Sequence, residues 1–510
     1  MTSESNKRIA KNTAMLYIQM LFTMLVSLYT SRVVLDVLGV EDYGIYVVVG
    51  GIVVMFGFLN NAMAAATQRF ITIEIGRGDS TQLNCIFNMS VTIHTLIAIA
   101  VLILSETIGK WFLNTHLNIP TERMSAANWV YQFSIFAFII NILNVPYNAT
   151  IIAHERMSVY AYVSIVEVIL KLVIVFMLVW FDFDKLKLYA VLVFSVSLII
   201  RIIYTIYCKQ KFEECKYSLI WDKQLFRQMS TFANWNLFGV FAGIAYMQGV
   251  NFLINVFFGP AVNAARGIGF QVMMSVNAFV TNFQIAVNPQ ITKSYAVGDE
   301  KYMYSLVFSS SKYSFYLLLF LSLPVLIETK FIFELWLKEV PAYAIIFTRL
   351  ILLDMLIGTL SGSLQTLVQA TGNIRRYQVI VSGILLMNLP FSYLLLKLGY
   401  APQITFIVSI IFSFMALLAR LIVLKRLISF PIRDFFTVVL FRVFIVSIVA
   451  SVIPYYTSTQ ISYSLKHFTV ILALSFLSVS TTVYFLGFTE FERIYWNKNF
   501  LKFISKNKNS

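Results

Sequence analysis

Apolar residues run along this chain in long stretches separated by short polar segments. Fourteen stretches stand out, at roughly 13–38, 43–66, 84–108, 126–151, 158–180, 187–207, 229–258, 262–288, 305–327, 342–370, 377–397, 403–424, 436–455 and 467–487. Each reaches the length of about 18 residues that crosses a bilayer core as a helix. The pattern therefore predicts an all-α integral membrane protein with helices α1 to α14 at these positions. The first stretch follows Lys7, Arg8 and Lys11. It is far longer than the roughly 7–15 apolar residues of a signal peptide, so it reads as a retained helix.

Polar residues inside these stretches fall into stripes. At 100° per residue, Asn263, Asn277, Thr281, Gln284 and Asn288 share the side of α8 that carries Arg266. A similar stripe on α7 holds Asn234, Gln248, Asn251 and Asn255, and α2 offers Asn61 and Gln68. Unpaired polar groups are costly in hydrocarbon, so such stripes are expected to face protein or a hydrated cleft. Ionisable residues join them: Arg32 on α1, Arg349 and Asp354 on α10, and Glu167 with Lys171 at i and i+4 on α5. Together the cations Arg32, Lys171, Arg266 and Arg349 predict a site for an anionic headgroup, with Glu167 and Asp354 as coupling or charge-balancing groups. Arg442 reads as a snorkelling anchor, and His94, alone on an apolar helix, as a satisfied interior histidine.

Composition agrees with this reading. Hydrophobic residues make up 59% and charged residues 12% of the 510-residue chain, against roughly 45–50% and 25% in an average soluble domain. The net charge of +15 comes mostly from segments on the side that holds both predicted termini. This is the positive-inside bias expected of a multispanning protein with cytoplasmic N- and C-termini. The basic charge then meets anionic membrane lipids rather than nucleic acid. Every loop is short, which leaves no room for a soluble catalytic or nucleotide-binding domain, and the sequence contains no Gly-rich phosphate loop, HExxH or CxxC. No cofactor or metal is expected. Cys85, Cys208 and Cys215 lie at predicted cytoplasmic ends, where a structural disulfide is not expected. Asn88 and Asn148 head N-x-[ST] triplets within or beside helices and are discounted as glycosylation sites. A gradient, a membrane potential or the cargo itself must then supply the energy for transport.

A weak internal repeat organises the helices. A shift of 220 residues aligns Leu38-Gly39 with Phe258-Gly259, Ile71-Thr72 with Ile291-Thr292, and Gly78-Asp79 with Gly298-Asp299. A shift of 217 aligns Ala153 with Ala370. Two pseudo-symmetric six-helix lobes follow, with the cargo site between them. The expected boundaries are 1–207 for the first lobe, 208–228 for a cytoplasmic linker, 229–430 for the second lobe, and 431–510 for α13, α14 and a basic tail. The linker mixes basic residues with Phe212, Leu219, Ile220, Trp221 and Leu225, the composition of an interfacial amphipathic helix.

The runs NAARGIGFQV, FVTNFQIAVNPQITKSYAVGD and LDVLGVEDYGIY resemble bacterial polysaccharide flippases of the Wzx type. That group belongs to the superfamily that also holds multidrug-and-toxin extruders and the lipid II flippase. The resemblance implies a V-shaped pair of lobes in alternating access. It also implies a cargo of polyprenyl-diphosphate-linked oligosaccharide, moved from the inner to the outer leaflet for surface polysaccharide such as O-antigen, and partners in the polysaccharide polymerase and chain-length machinery. The lipid II branch carries cavity arginines on its first and eighth helices. Arg32 and Arg266 occupy comparable helices, Arg32 offset by over a turn from that motif. The alternative is a cation-coupled multidrug exporter, for which Asp354 is the fitting intramembrane carboxylate. An enzyme acting on the same lipid-linked sugars would need a sizeable outer loop with catalytic groups, so no enzymatic activity is expected.

Overall fold

The computed structural model describes residues 3–54, 57–116, 119–181, 183–218, 220–337, 340–460, 465–490 and 492–494. Within these, the side chains of 3–7, 28, 31, 32, 35, 40, 41, 44, 47, 48, 51–54, 57–59, 61, 260, 261 and 264 lie outside the description. The described chain is almost wholly helical and contains no strand. Among the described residues, 13 helices are long and apolar enough to cross a membrane, and they match every predicted span except α2. The predicted α2 overlaps residues outside the description. The chain is a multi-pass membrane protein of about fourteen helices.

Helix ends differ most from the sequence reading at α2 and α8. The helix of α2 runs Gly57–Arg77, and α8 continues to Val297, well past their apolar stretches. Hydropathy detects only the part of a helix that meets lipid, whereas helical hydrogen bonding continues through the polar residues beyond. Both helices stop at a left-handed glycine, Gly78 (φ 78°) and Gly298 (φ 79°). This is the usual way to satisfy the last carbonyls of a helix. The next helix, α3, begins at Ser80, where the Asp79 side chain accepts from Gln82 N at 2.9 Å.

The backbone makes the internal repeat explicit. Helical continuity breaks at Gly39 (φ 79°, ψ 166°) and again at Gly259 (φ 80°, ψ −179°). This conformation is essentially confined to glycine. The two elbows stand 220 residues apart, as do the caps Gly78 and Gly298. The second offset, 217, joins Glu155 (φ 59°) after α4 to Gly372 (φ 78°) after α10.

The chain divides into two compact units, Met1–Phe241 with Thr292–Asp299, and Ala242–Ile291 with Glu300–Ser510. In the first unit, Phe87, Tyr147, Ile174, Leu178 and Tyr204 form one core, and Leu113, Ala127, Val130 and Tyr131 form another. Buried charge is paired. Glu155 receives Lys293 at 2.5 Å and Arg8 at 3.5 Å, and Arg123 bridges Asp42 and Asp184. The linker forms no amphipathic helix among its described residues. It is a 3-10 turn at Glu213–Cys215 followed by irregular chain. Asn84 donates to Glu214 O at 2.9 Å, and Ser218 N donates to Asn88 Oδ1 at 2.8 Å. His154 meets Glu214 at 2.6 Å. Burial pushes the Glu214 carboxyl up, but His154 and a backbone hydrogen bond together outweigh it and hold the group below its ordinary value. These side-chain anchors take up the polar groups that an interfacial helix would otherwise satisfy.

In the second unit, Val250, Ile254, Phe333, Phe347, Ile351 and Phe406 form the core. Helix α9, Glu300–Trp336, contains Pro324 and departs from helical geometry at Glu328 (φ −100°, ψ 26°). The broken turn is held by Arg349, which donates to Ile327 O at 3.1 Å and Thr329 Oγ1 at 3.2 Å. Glu328 itself pairs with His467 at 3.1 Å. At the other end of α9, the fully buried Lys312 pairs with Glu492 at 2.8 Å. Arg442 is not a free lipid-facing anchor, because its guanidinium donates to Phe488 O at 2.7 Å. A backbone carbonyl at the end of α14 offered it a partner that sequence spacing does not reveal.

Candidate functional site: a polar cavity in the second unit

A cavity of about 360 Å³ opens among α7, α8, α10 and α12 of the second unit. The α8 span, Ala265–Val297, contributes Arg266, Asn277, Thr281 and Gln284. These follow one another at helical spacing, so a single face carries them all. The α10 helix, Ala344–Thr359, contributes Asp354, and α12, Ile404–Ile428, contributes Ser409 and Ser413. Tyr246 on α7 completes the polar wall.

Arg266 is 8% exposed. It donates to Asn251 Oδ1 at 3.1 Å and to Met247 O at 2.8 Å, and its guanidinium lies 4.1 Å from the centre of the Phe270 ring. Its Nε has no hydrogen-bond partner among the described residues. On α10, Asp354 Oδ1 is shielded from solvent without a hydrogen-bond partner among the described residues, and Ser409 and Ser413 line the same cavity. Gln284 donates to Ser314 Oγ at 3.3 Å. Gly362 leaves it that room, since a Cβ there would lie 2.4 Å from Gln284 Nε2.

The structure therefore brings Arg266, Asn277, Thr281, Gln284 and Asp354 to one cavity, with Asn251 behind Arg266. Arg349 is engaged with α9 instead. Lys171 donates to Glu167 at 2.6 Å as a half-exposed pair on α5, apart from this cavity. Gln248 and Asn255 are exposed, and Asn263 and Asn288 are half-buried outside the cavity lining. Gln68 is half-buried on α2. Asn234 lines a separate, mostly apolar cavity of about 300 Å³ in the first unit, with Met63, Ile93, Ile97 and Leu237. The side chains of Arg32 and Asn61 lie outside the described residues. Sequence reasoning missed Tyr246, Ser409 and Ser413. The last two stand at i and i+4 within the apolar first half of their helix, which is the signal that would have found them.

No protein-family model matches the chain, and no curated protein sequence matches it. Solved structures do. An outward-facing multidrug resistance MATE family transporter of the MOP superfamily superposes with a TM-score of 0.68 at 13% identity, covering 81% of this chain and 94% of its own. The MATE transporter ClbM, in complex with Rb⁺, gives 0.70 at 16% identity, covering 84% and 96%. A MOP superfamily transporter from Pyrococcus furiosus, described by the reverse polarity of its binding pocket, gives 0.66 at 13% identity, covering 82% and 94%. At these identities the likeness establishes the fold, which is that of the MATE transporters of the MOP superfamily.

Proposed function

We propose that this protein is a secondary transporter working by alternating access, and that it exports its cargo in exchange for a coupling cation held at Asp354. The observation that carries this reading is the shielded, unpartnered Asp354 Oδ1 in a cavity lined by hydroxyl groups. An intramembrane carboxylate is expensive unless it is paired or serves transport, and a proton or a monovalent cation is the simplest group to complete it. The short loops leave a gradient, a membrane potential or the cargo itself as the energy source, and an exchanged cation would draw on the first two. Likeness in fold to multidrug transporters, one of them holding Rb⁺, supports the same reading. Expression in a drug-sensitive bacterial host tests it. The wild type should lower accumulation of at least one of a panel of cationic and zwitterionic dyes, and Asp354→Asn should abolish that effect at equal abundance.

A second reading is a flippase for polyprenyl-diphosphate-linked oligosaccharide. It is favoured by Arg266 standing among Asn277, Thr281 and Gln284, a donor set suited to phosphates and sugars. Deletion in the native host separates the two. Loss of surface polysaccharide with lipid-linked units held on the inner leaflet supports the flippase. Unchanged glycan with greater drug sensitivity supports the exporter.

A further inference from the structure

Among the described residues, the partly buried Arg201, Arg349 and Arg420 rest on neutral partners, whereas the most deeply buried charges outside this cavity meet opposite ones. Lys312 has Glu492 and Glu155 has Lys293, and Glu328 has a hydrogen bond with His467. The second-unit cavity is different. It holds a buried guanidinium and a carboxylate oxygen shielded from solvent, and no ion pair joins Arg266 to Asp354 or to any other acid among the described residues. The partners of Arg266 are an amide oxygen, a backbone carbonyl and an aromatic face. These satisfy hydrogen bonds without supplying negative charge. Tyr246 lines the same cavity as both charged groups. Each group also keeps an unsatisfied polar atom, Arg266 Nε and Asp354 Oδ1.

We propose that this cavity binds a zwitterionic cargo, whose anionic group meets Arg266 and whose amine meets Asp354. An organic cation would be held at Asp354 but repelled by Arg266, and an anion would meet the reverse. Only a molecule with both charges is matched at both ends. A cavity of about 360 Å³ suits a small molecule or a compact headgroup. The inference rests on the transport reading above and adds a means of coupling. The entering cation displaces only the amine, so one end of the cargo is released when the ion arrives.

Isothermal titration of the full-length protein in lipid nanodiscs tests this with three probes: O-phosphoethanolamine, which carries both charges, and ethanolamine and methyl phosphate, which carry one each. The zwitterion should bind roughly ten-fold or more tightly than either single-charge probe. Arg266→Gln and Asp354→Asn should each remove that preference, and a rising concentration of coupling cation should weaken zwitterion binding in the wild type. Equal affinity for ethanolamine and O-phosphoethanolamine in the wild type would overturn the proposal, as would no binding of the zwitterion. Neither result depends on how a variant folds. Cation-driven dye export that depends on Asp354 would survive such a failure, so the two readings can be told apart.

Discussion

At the scale of single residues, the intramembrane cations differ in what they touch. Arg349 gives its hydrogen bonds to Ile327 O and Thr329 Oγ1, on either side of the break in α9 at Glu328. Arg349→Ala should therefore destabilise the protein by about 1–3 kcal/mol, read as a lowered Tm in detergent, and should not change ion or cargo selectivity. Arg266 should behave in the opposite way, with binding affected more than stability. Glu492 gives a pH prediction. Burial raises its carboxyl, but Lys312 and the Thr489 hydrogen bonds outweigh that and leave it below the ordinary value of 4.5. Its stabilising contribution is thus fully present above pH 4.5 and is lost as pH falls through the lower folded value. The Tm difference between wild type and Glu492→Gln should shrink as pH drops through that range. A constant difference would contradict the assignment. The stripe of Arg266, Asn277, Thr281 and Gln284 was legible in the sequence because helical periodicity is arithmetic. The capture of Arg349 and Arg442 by backbone carbonyls was not, because a carbonyl has no sequence signature of its own.

At the scale of elements, Gly39 and Gly259 set where two helices bend, and Gly78 and Gly298 where two helices stop. Gly298 lies in the left-handed helical region (φ 79°, ψ 17°), whereas Gly259 (φ 80°, ψ −179°) lies where essentially only glycine is found. A Cβ at either position meets nothing within 4 Å, so substitution there tests backbone conformation alone. Asparagine tolerates the first conformation and not the second. Gly259→Asn should therefore lower the Tm more than Gly298→Asn, by the equivalent of about 1–3 kcal/mol of strain. Equal effects would show that the elbow is not strained as described. The repeated glycines were visible in the sequence as a constant offset. The reach of α2 and α8 past their apolar stretches was not, since polar residues beyond the lipid-facing part carry no hydropathy signal.

At the scale of the whole molecule, fold class and helix count were the most legible features, because hydrocarbon enforces long apolar helices. The matched elbows and caps then give the two halves a common plan that few residue identities display. Charge asymmetry predicts the orientation. Reporter fusions after Phe181 and Gly399 should read as outside the cytoplasm, and fusions at Asn373 and Ser429 as cytoplasmic. Opposite readings at most of these positions would contradict the topology. The cargo was least legible, because cavity polarity depends on which side chains of four separate helices converge. The central claim, that Asp354 couples ion and cargo movement, is tested most directly by exchange in proteoliposomes. An imposed sodium or proton gradient should drive cargo against its own gradient with the wild type, while Asp354→Asn should fail to respond to either gradient. Gradient-driven transport by Asp354→Asn equal to wild type would contradict the account.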